Sequence, residues 1–483
     1  MGLLGILLAL AVLVWFAFRG WSVLLLAPIA ALLAAAFSGQ PLLASWTQTF
    51  MGGAAGFLAQ FFPLFLVGAV FGKLMDDSGS VAAIARFLIH KLGPQRAVLA
   101  VVLAGAAVTY GGVSVFVAMF VLAPMAGALF QAAGVPRRLT PAAITLGTST
   151  FTMSALPGTP AIQNAIPIAF LGTTPFAAPG LGVIASAVML AVGLWWMARA
   201  ETKARAAGEG YDGVACDVAG PPDLQRVRER AATAREFDPP ELAHGRRSDL
   251  EPRLALAALP LFVVIGVNLL MSLVVLPRLD LGFLEAPRWG GVAPASVVGV
   301  WSVLVALTAA VATVVLVNRR RLPGLRESMD AGAHASALPA LSVASLVGFG
   351  AVVAALPAFG VVRNHLIDLE VGPLVSLAVA TNLLAALTGS ASGGLTVALE
   401  ALGPDFIQSA VAQGVDPALM HRVAAIGAGT LDLLPHNGAV VTLLAVCGCS
   451  HREAYRDIVG VGVLGAAAAL VVVIALGSVF GAF

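Results

Sequence analysis

The chain has 483 residues, 59% of them hydrophobic and 11% charged, with a formal net charge of +2. That composition lies outside the range of soluble domains, and several apolar stretches exceed the roughly 18 residues that read as a membrane helix, so the sequence describes an all-α polytopic membrane protein. No basic face offers itself to nucleic acid, because 21 of the 52 charged residues (27 basic plus 25 acidic) fall within 199–253, where the two signs nearly cancel.

Residues 1–18 are apolar from the second position and lack a basic leading region, so they read as a retained helix rather than a signal peptide. A second helix runs over about 21–36. Arg19 in the tight link between them marks that link as cytoplasmic and the N-terminus as outside. A third helix, about 53–74, returns to the cytoplasm and ends at Lys73, Asp76 and Asp77, where the two aspartates read as a solvated face or helix end. Residues 81–91 are amphipathic, too short to span, and most simply interfacial. Residues 97–133 exceed one comfortable crossing and are split at Thr109-Tyr110-Gly111-Gly112-Val113-Ser114. With Arg96 before them and Arg137 and Arg138 after, they read as a re-entrant hairpin entered from the cytoplasm.

Residues 140–171 form an interrupted helix, broken at Leu156-Pro157-Gly158-Thr159. Residues 181–197 cross back and deliver Arg199, Lys203 and Arg205 to the cytoplasm. The stretch 199–253 is a cytoplasmic linker, with at most a solvated helix at 224–237. Helices at 254–276, 295–317 and 334–356 follow, then a short amphipathic piece at 361–370. A second split segment, 375–402, breaks at Thr388-Gly389-Ser390-Ala391-Ser392-Gly393-Gly394; without basic flanks, it opens from outside. Residues 424–444 carry a second interruption at Asp432, Pro435, His436, Asn437 and Gly438. A last helix covers 458–479, with His451, Arg452 and Arg456 before it on the cytoplasmic side. The plan divides into repeats of inverted topology, 1–198 and 254–483, joined by the linker 199–253, with both termini outside.

Breaks in apolar helices are costly in lipid unless protein or a watery cavity pairs the freed backbone, so two matched breaks point to a binding site. Half-helix N-termini hold a carboxylate without a basic side chain, in keeping with the lack of Arg and Lys in the expected core. Ser114, Ser390, Ser392, Thr159, Gln163, Asn164 and Asn437 supply directional hydrogen bonds. Any one such hydroxyl equally satisfies its own helix backbone. Asp432 and His436 are the titratable groups at depth and the candidates for proton coupling; the plainer alternative is a helix cap and a satisfied core histidine. Tyr110 either closes over ligand or packs. Cys216, Cys447 and Cys449 form no disulfide framework, and Cys447 with Cys449 lacks the spacing and histidine partners of a zinc site, so neither metal nor cofactor is expected.

These motifs resemble the gluconate permease (GntP) family of the ion transporter superfamily over essentially the full length. The resemblance is carried by GKLMDDSG at 72–79, YGGVS at 110–114, ALPGTP at 155–160, GSASGG at 389–394 and LPHNG at 434–438. It implies uptake of a small organic acid with an inward cation, usually a proton, by a homodimer in the inner membrane moving as an elevator. The less polar first tip and first break are closer to members for short hydroxy acids such as 3-hydroxybutyrate than to sugar-acid carriers. A sodium-coupled or exchange carrier of the same fold stays open. From a different class, an integral-membrane hydrolase built on His436, Asp432 and a serine lacks a Gly-x-Ser-x-Gly elbow or a second metal-binding histidine. No nucleotide-binding loop is present, which disfavours ATP-driven transport.

Overall fold

Apolar side chains cover the outside of the molecule as well as its interior. Leu7, Trp15, Leu43, Phe262, Leu316 and Phe480 are all exposed, an arrangement that water penalises and acyl chains do not. Among the described residues, seven helices are long and apolar enough to cross a bilayer, or eight if the bent pair Ser80–Leu92 and Pro94–Tyr110 counts as one span. The chain is a multi-pass membrane protein. The computed structural model describes residues 2–19, 21–211, 248, 250, 252–360, 372–435 and 437–483. The expectations for 224–237, 361–370, Cys216 and His436 lie outside them.

The chain opens with α1 (Gly2–Phe18) and α2 (Val23–Phe37), which pack together and, at 17 and 15 residues, lie at and just below the lower limit for a full crossing. α3 (Leu42–Asp77) begins well before residue 53, because the polar stretch Ser45–Phe50 continues the helix as a π-helical turn. α4 (Ser80–Leu92) buries Val81, Ile84 and Ala85 and exposes Arg86, His90 and Lys91, as its amphipathic pattern requires. After a 99° bend, α5 (Ala97–Tyr110) packs against α6 (Val115–Ala133) as a helical hairpin. α7 (Thr140–Thr148), a single turn at Phe151–Ser154 and α8 (Ile162–Leu171) make the first interrupted helix, and α9 (Pro179–Ala206) closes the series.

The second series starts with α10 (Leu254–Arg278) and α11 (Pro294–Asn318). α12 (Leu325–Ala335) and α13 (Ala337–Ala355) meet at Ser336. α14 (Pro373–Thr388) and α15 (Ala391–Ala412) form the second hairpin, and α16 (Pro417–Ala428) and α17 (Gly438–Cys447) flank the second break. α18 (His451–Val461) and α19 (Val463–Phe480) end the chain. Hairpin, interrupted helix and closing helix thus occur twice in the same order.

Close approach is secured by small residues. A Cβ on Gly147 of α7 would collide with Val102 O of α5, and one on Gly394 of α15 with the backbone of Ala385 in α14, so both contacts demand glycine. α3 packs on α11, α12 and α13, while α8 reaches into the second series to touch α11, α15 and α16. That last set of contacts brings the first break to the second half.

Two expectations are corrected. The second split is narrower than the sequence suggests: only Gly389 and Ser390 interrupt it, while Ser392, Gly393 and Gly394 already belong to the first turns of α15. Asp76 and Asp77 are not solvated, being 7% and 2% exposed, because the approach to α10 covers the end of α3. There Ser248 N donates to Asp77 O at 2.8 Å, and Gly79 abuts Leu250 and Pro252. Lys73 is buried with them and donates to Asp77 Oδ1 at 2.9 Å, an i,i+4 ion pair.

Candidate functional site

A helix interrupted inside protein must find partners for the carbonyls it frees. In the first break, three successive carbonyls are each met by a side chain from a different element. Tyr110 Oη donates to Pro157 O at 2.8 Å, Asn268 Nδ2 to Gly158 O at 3.0 Å and Asn164 Nδ2 to Thr159 O at 3.0 Å. Gly158 N donates to Pro175 O at 2.8 Å. Upstream, Thr152 Oγ1 donates to Gly147 O (3.1 Å) and Thr148 O (3.2 Å), closing the end of α7.

The second break is held by α18 and by its own cap. Tyr455 Oη donates to Leu433 O at 3.2 Å, and His451 Nε2 donates to Pro435 O at 2.8 Å. Asn437 Oδ1 accepts from Ala439 N at 2.7 Å and Val440 N at 3.3 Å, while its Nδ2 donates to Gly389 O at the second hairpin tip (3.0 Å). Each break is therefore tied to the hairpin of its own series. The tips are shaped by glycine with positive φ, Gly112 at +94° and Gly389 at +65°, conformations that L side chains resist. Ser390 caps α15, accepting from Gly393 N at 3.2 Å, and its Oγ lies 3.3 Å from Ser392 Oγ.

Between the breaks and tips lies a cavity of about 220 Å³. Thr109, Gly112 and Ser114 reach it from the first hairpin, Gln163 from α8, Ser392 from the second hairpin, and Asp432 and Asn437 from the second break. Tyr110, Gly111, Pro157, Gly158, Thr159, Asn164, Gly389, Ser390, Gly393, Gly394, Pro435 and Gly438 stand outside the lining, several of them busy holding the broken backbone. Lining residues that the sequence did not single out are Thr148, Ser149, Thr152, Ser336 and an apolar wall including Leu64, Phe65, Leu307 and Val343. A signal for the hydroxyls was available in the run TLGTSTFT at 145–152, dense in hydroxyls for an apolar segment.

Four helices begin at this cavity from a break or a hairpin tip: α6 after Ser114, α8 after Ala161, α15 close to Ser392 and α17 after Asn437. The last two are capped by their own Ser390 and Asn437 side chains, whereas α6 and α8 have no side-chain cap. The first-series helices thus present N–H groups and the positive end of the dipole. Asp432 is the one ionisable side chain among the described residues of the lining, and it is 5% exposed. Among the described residues the lining includes no Lys or Arg, as the sequence suggests, but the surrounding core does contain a fully buried cation, Arg422. It is missed from sequence because hydropathy averages it into the apolar stretch ahead of the second break.

A helical membrane body with a small cavity between two helix breaks and two hairpin tips fits a multi-pass membrane transporter. The comparisons agree. A model described as GntP family permease matches residues 1–198. Over 480 residues the chain is 40% identical to an uncharacterized transporter, YxjC, of Bacillus subtilis (strain 168), covering 98% of each. This chain belongs to the GntP permease family. In fold it is similar to the solved structure of Neisseria gonorrhoeae MtrF, described as illuminating a class of antimetabolite efflux pumps. The TM-score is 0.54 at 16% identity, covering 89% of this chain and 84% of that one.

Proposed function

We propose that the protein is a secondary symporter that takes up a small organic-acid anion, a hydroxybutyrate- or gluconate-like monocarboxylate, together with protons. The observation that carries this reading is the pairing, around one cavity, of two uncapped helix N-termini with a single buried carboxyl, Asp432. The N-termini favour an anion. A second negative charge close by in a low dielectric disfavours it, so protonation of Asp432 and entry of the carboxylate promote each other. That mutual dependence is what coupling requires.

The volume of about 220 Å³ falls below the roughly 300–1,000 Å³ of pockets that take drug-sized ligands, which favours a short acid. The repeated element order and the placement of basic residues support inverted repeats over 1–198 and 254–483, with the linker 199–253 cytoplasmic and both termini outside the inner membrane. A homodimer with an elevator movement follows by resemblance to the family.

In proteoliposomes, labelled 3-hydroxybutyrate should accumulate under an inward proton gradient without sodium. Stimulation by a sodium gradient alone, at equal pH on both sides, would replace the proton with sodium in this scheme.

A further inference from the structure

Arg422, in α16, is 0% exposed. Its Nη1 donates to Ser154 O and to Asn164 Oδ1, both at 3.3 Å, and its Nη2 to Ala177 O at 2.6 Å. All three acceptors are neutral, and no carboxylate of the described residues pairs with it. Its neighbour His421 brings no compensating charge. Asn164 Oδ1 only accepts, so His421 Nε2 donates to it at 3.1 Å, and Nδ1, 2.6 Å from Thr173 Oγ1, is left to accept in the neutral ring.

A guanidinium keeps its proton in proteins, and burying one without a counter-ion is among the costlier things a fold does. The position of this one suggests what it is for. Ser154 and Asn164, which accept from it, each stand one residue beyond a residue of the cavity wall, Met153 and Gln163. The cation therefore lies immediately behind the first break, next to the uncapped start of α8, in surroundings where water does not screen its field.

We propose that Arg422 is a positioning residue that supplies the fixed countercharge of the cavity: from behind the first break it selects an anionic ligand over a neutral one of the same shape, without touching the ligand. It keeps the Ser154 carbonyl engaged, so that the N–H groups of the break are what the ligand meets. This inference rests on the anion reading given above.

The test is binding of 3-hydroxybutyrate and of its uncharged primary amide to the full-length protein in nanodiscs, compared as a ratio of affinities. Arg422→Gln should reduce the acid-to-amide preference about tenfold or more, and Arg422→Lys should retain most of it, because the charge and not the fork geometry sets the preference. Asn164→Asp leaves Arg422 in place but pairs it with a carboxylate; losing the amide's bonds to Thr159 O and Pro175 O should weaken acid and amide alike, and the acid-to-amide preference should fall as in Arg422→Gln. It serves as the independent variant if Arg422→Gln does not fold. Acid and amide weakened equally in both variants, or an unchanged preference in either, overturns the countercharge role. Failure of the unaltered protein to bind any short carboxylate overturns the anion reading and this inference with it.

Discussion

Ser392 and Asn437 both border the cavity, but their side chains are engaged differently, and substitution should separate them. Asn437 spends its oxygen on the first turn of α17 and its amide on Gly389 O, so Asn437→Ala removes a cap and strands a carbonyl. We expect it to lower stability by about 1–2 kcal/mol, read as a fall in Tm in detergent, as well as to weaken substrate binding. Ser392 Oγ has only Ser390 Oγ at 3.3 Å as a side-chain partner. Ser392→Ala should leave Tm unchanged and weaken substrate binding by about 1–2 kcal/mol. An unchanged Kd would return Ser392 to a structural role. Asp432→Asn fixes the neutral form of the side chain. It should preserve binding and exchange of the acid while abolishing accumulation against a gradient, measured by comparing counterflow with uphill uptake.

At the scale of the elements, the breaks are held open by donors from elsewhere in the chain, and that arrangement makes them vulnerable at a distance. Asn268 lies 110 residues from the carbonyl it satisfies. Replacing it with Leu keeps the branching at Cγ but adds volume and leaves Gly158 O unpaired, and should cost about 1–3 kcal/mol of stability by thermal unfolding; a Tm equal to that of the unaltered protein would show that water replaces the amide. The positions of both breaks and of the first hairpin tip were legible in sequence, because Pro, Gly and hydroxyls interrupt apolar runs there and lipid tolerates no idle interruption. The donors were not legible. Tyr110, Asn164 and Asn268 are ordinary polar residues in apolar helices, and nothing local tells which carbonyl, 110 residues away or 5, each one serves. The same limit hid Ser336, which reaches the cavity only because α12 and α13 meet there, and the burial of Asp76 and Asp77, which is decided by the segment that covers them.

For the whole molecule, a cluster of charged residues adds to the polar contacts that join the two series. Arg138, just before α7, donates to Glu209 Oε1 at 2.7 Å beyond α9 and to Asp457 Oδ2 at 2.6 Å in α18, and Trp196 Nε1 donates to Asp457 Oδ1 at 3.0 Å. At the other end of α9, Gly180 N donates to the carbonyl of the C-terminal Phe483 at 2.8 Å. The C-terminus and the end of α9 that carries Arg205 therefore lie at opposite ends of a 28-residue helix. In a background with Cys216 replaced, a membrane-impermeant maleimide should label Phe483→Cys on intact cells and should label Arg205→Cys only after lysis. The reverse pattern would invert the topology.

If proton and carboxylate pass together through the site containing Asp432, proton movement reports on their coupling directly. In proteoliposomes with equal pH on both sides, no sodium and a pH-sensitive dye in the lumen, adding 3-hydroxybutyrate outside should acidify the lumen at a rate that follows labelled uptake. Asp432→Asn should exchange the labelled acid without acidification. Uptake by the unaltered protein with no change of lumenal pH would contradict proton coupling.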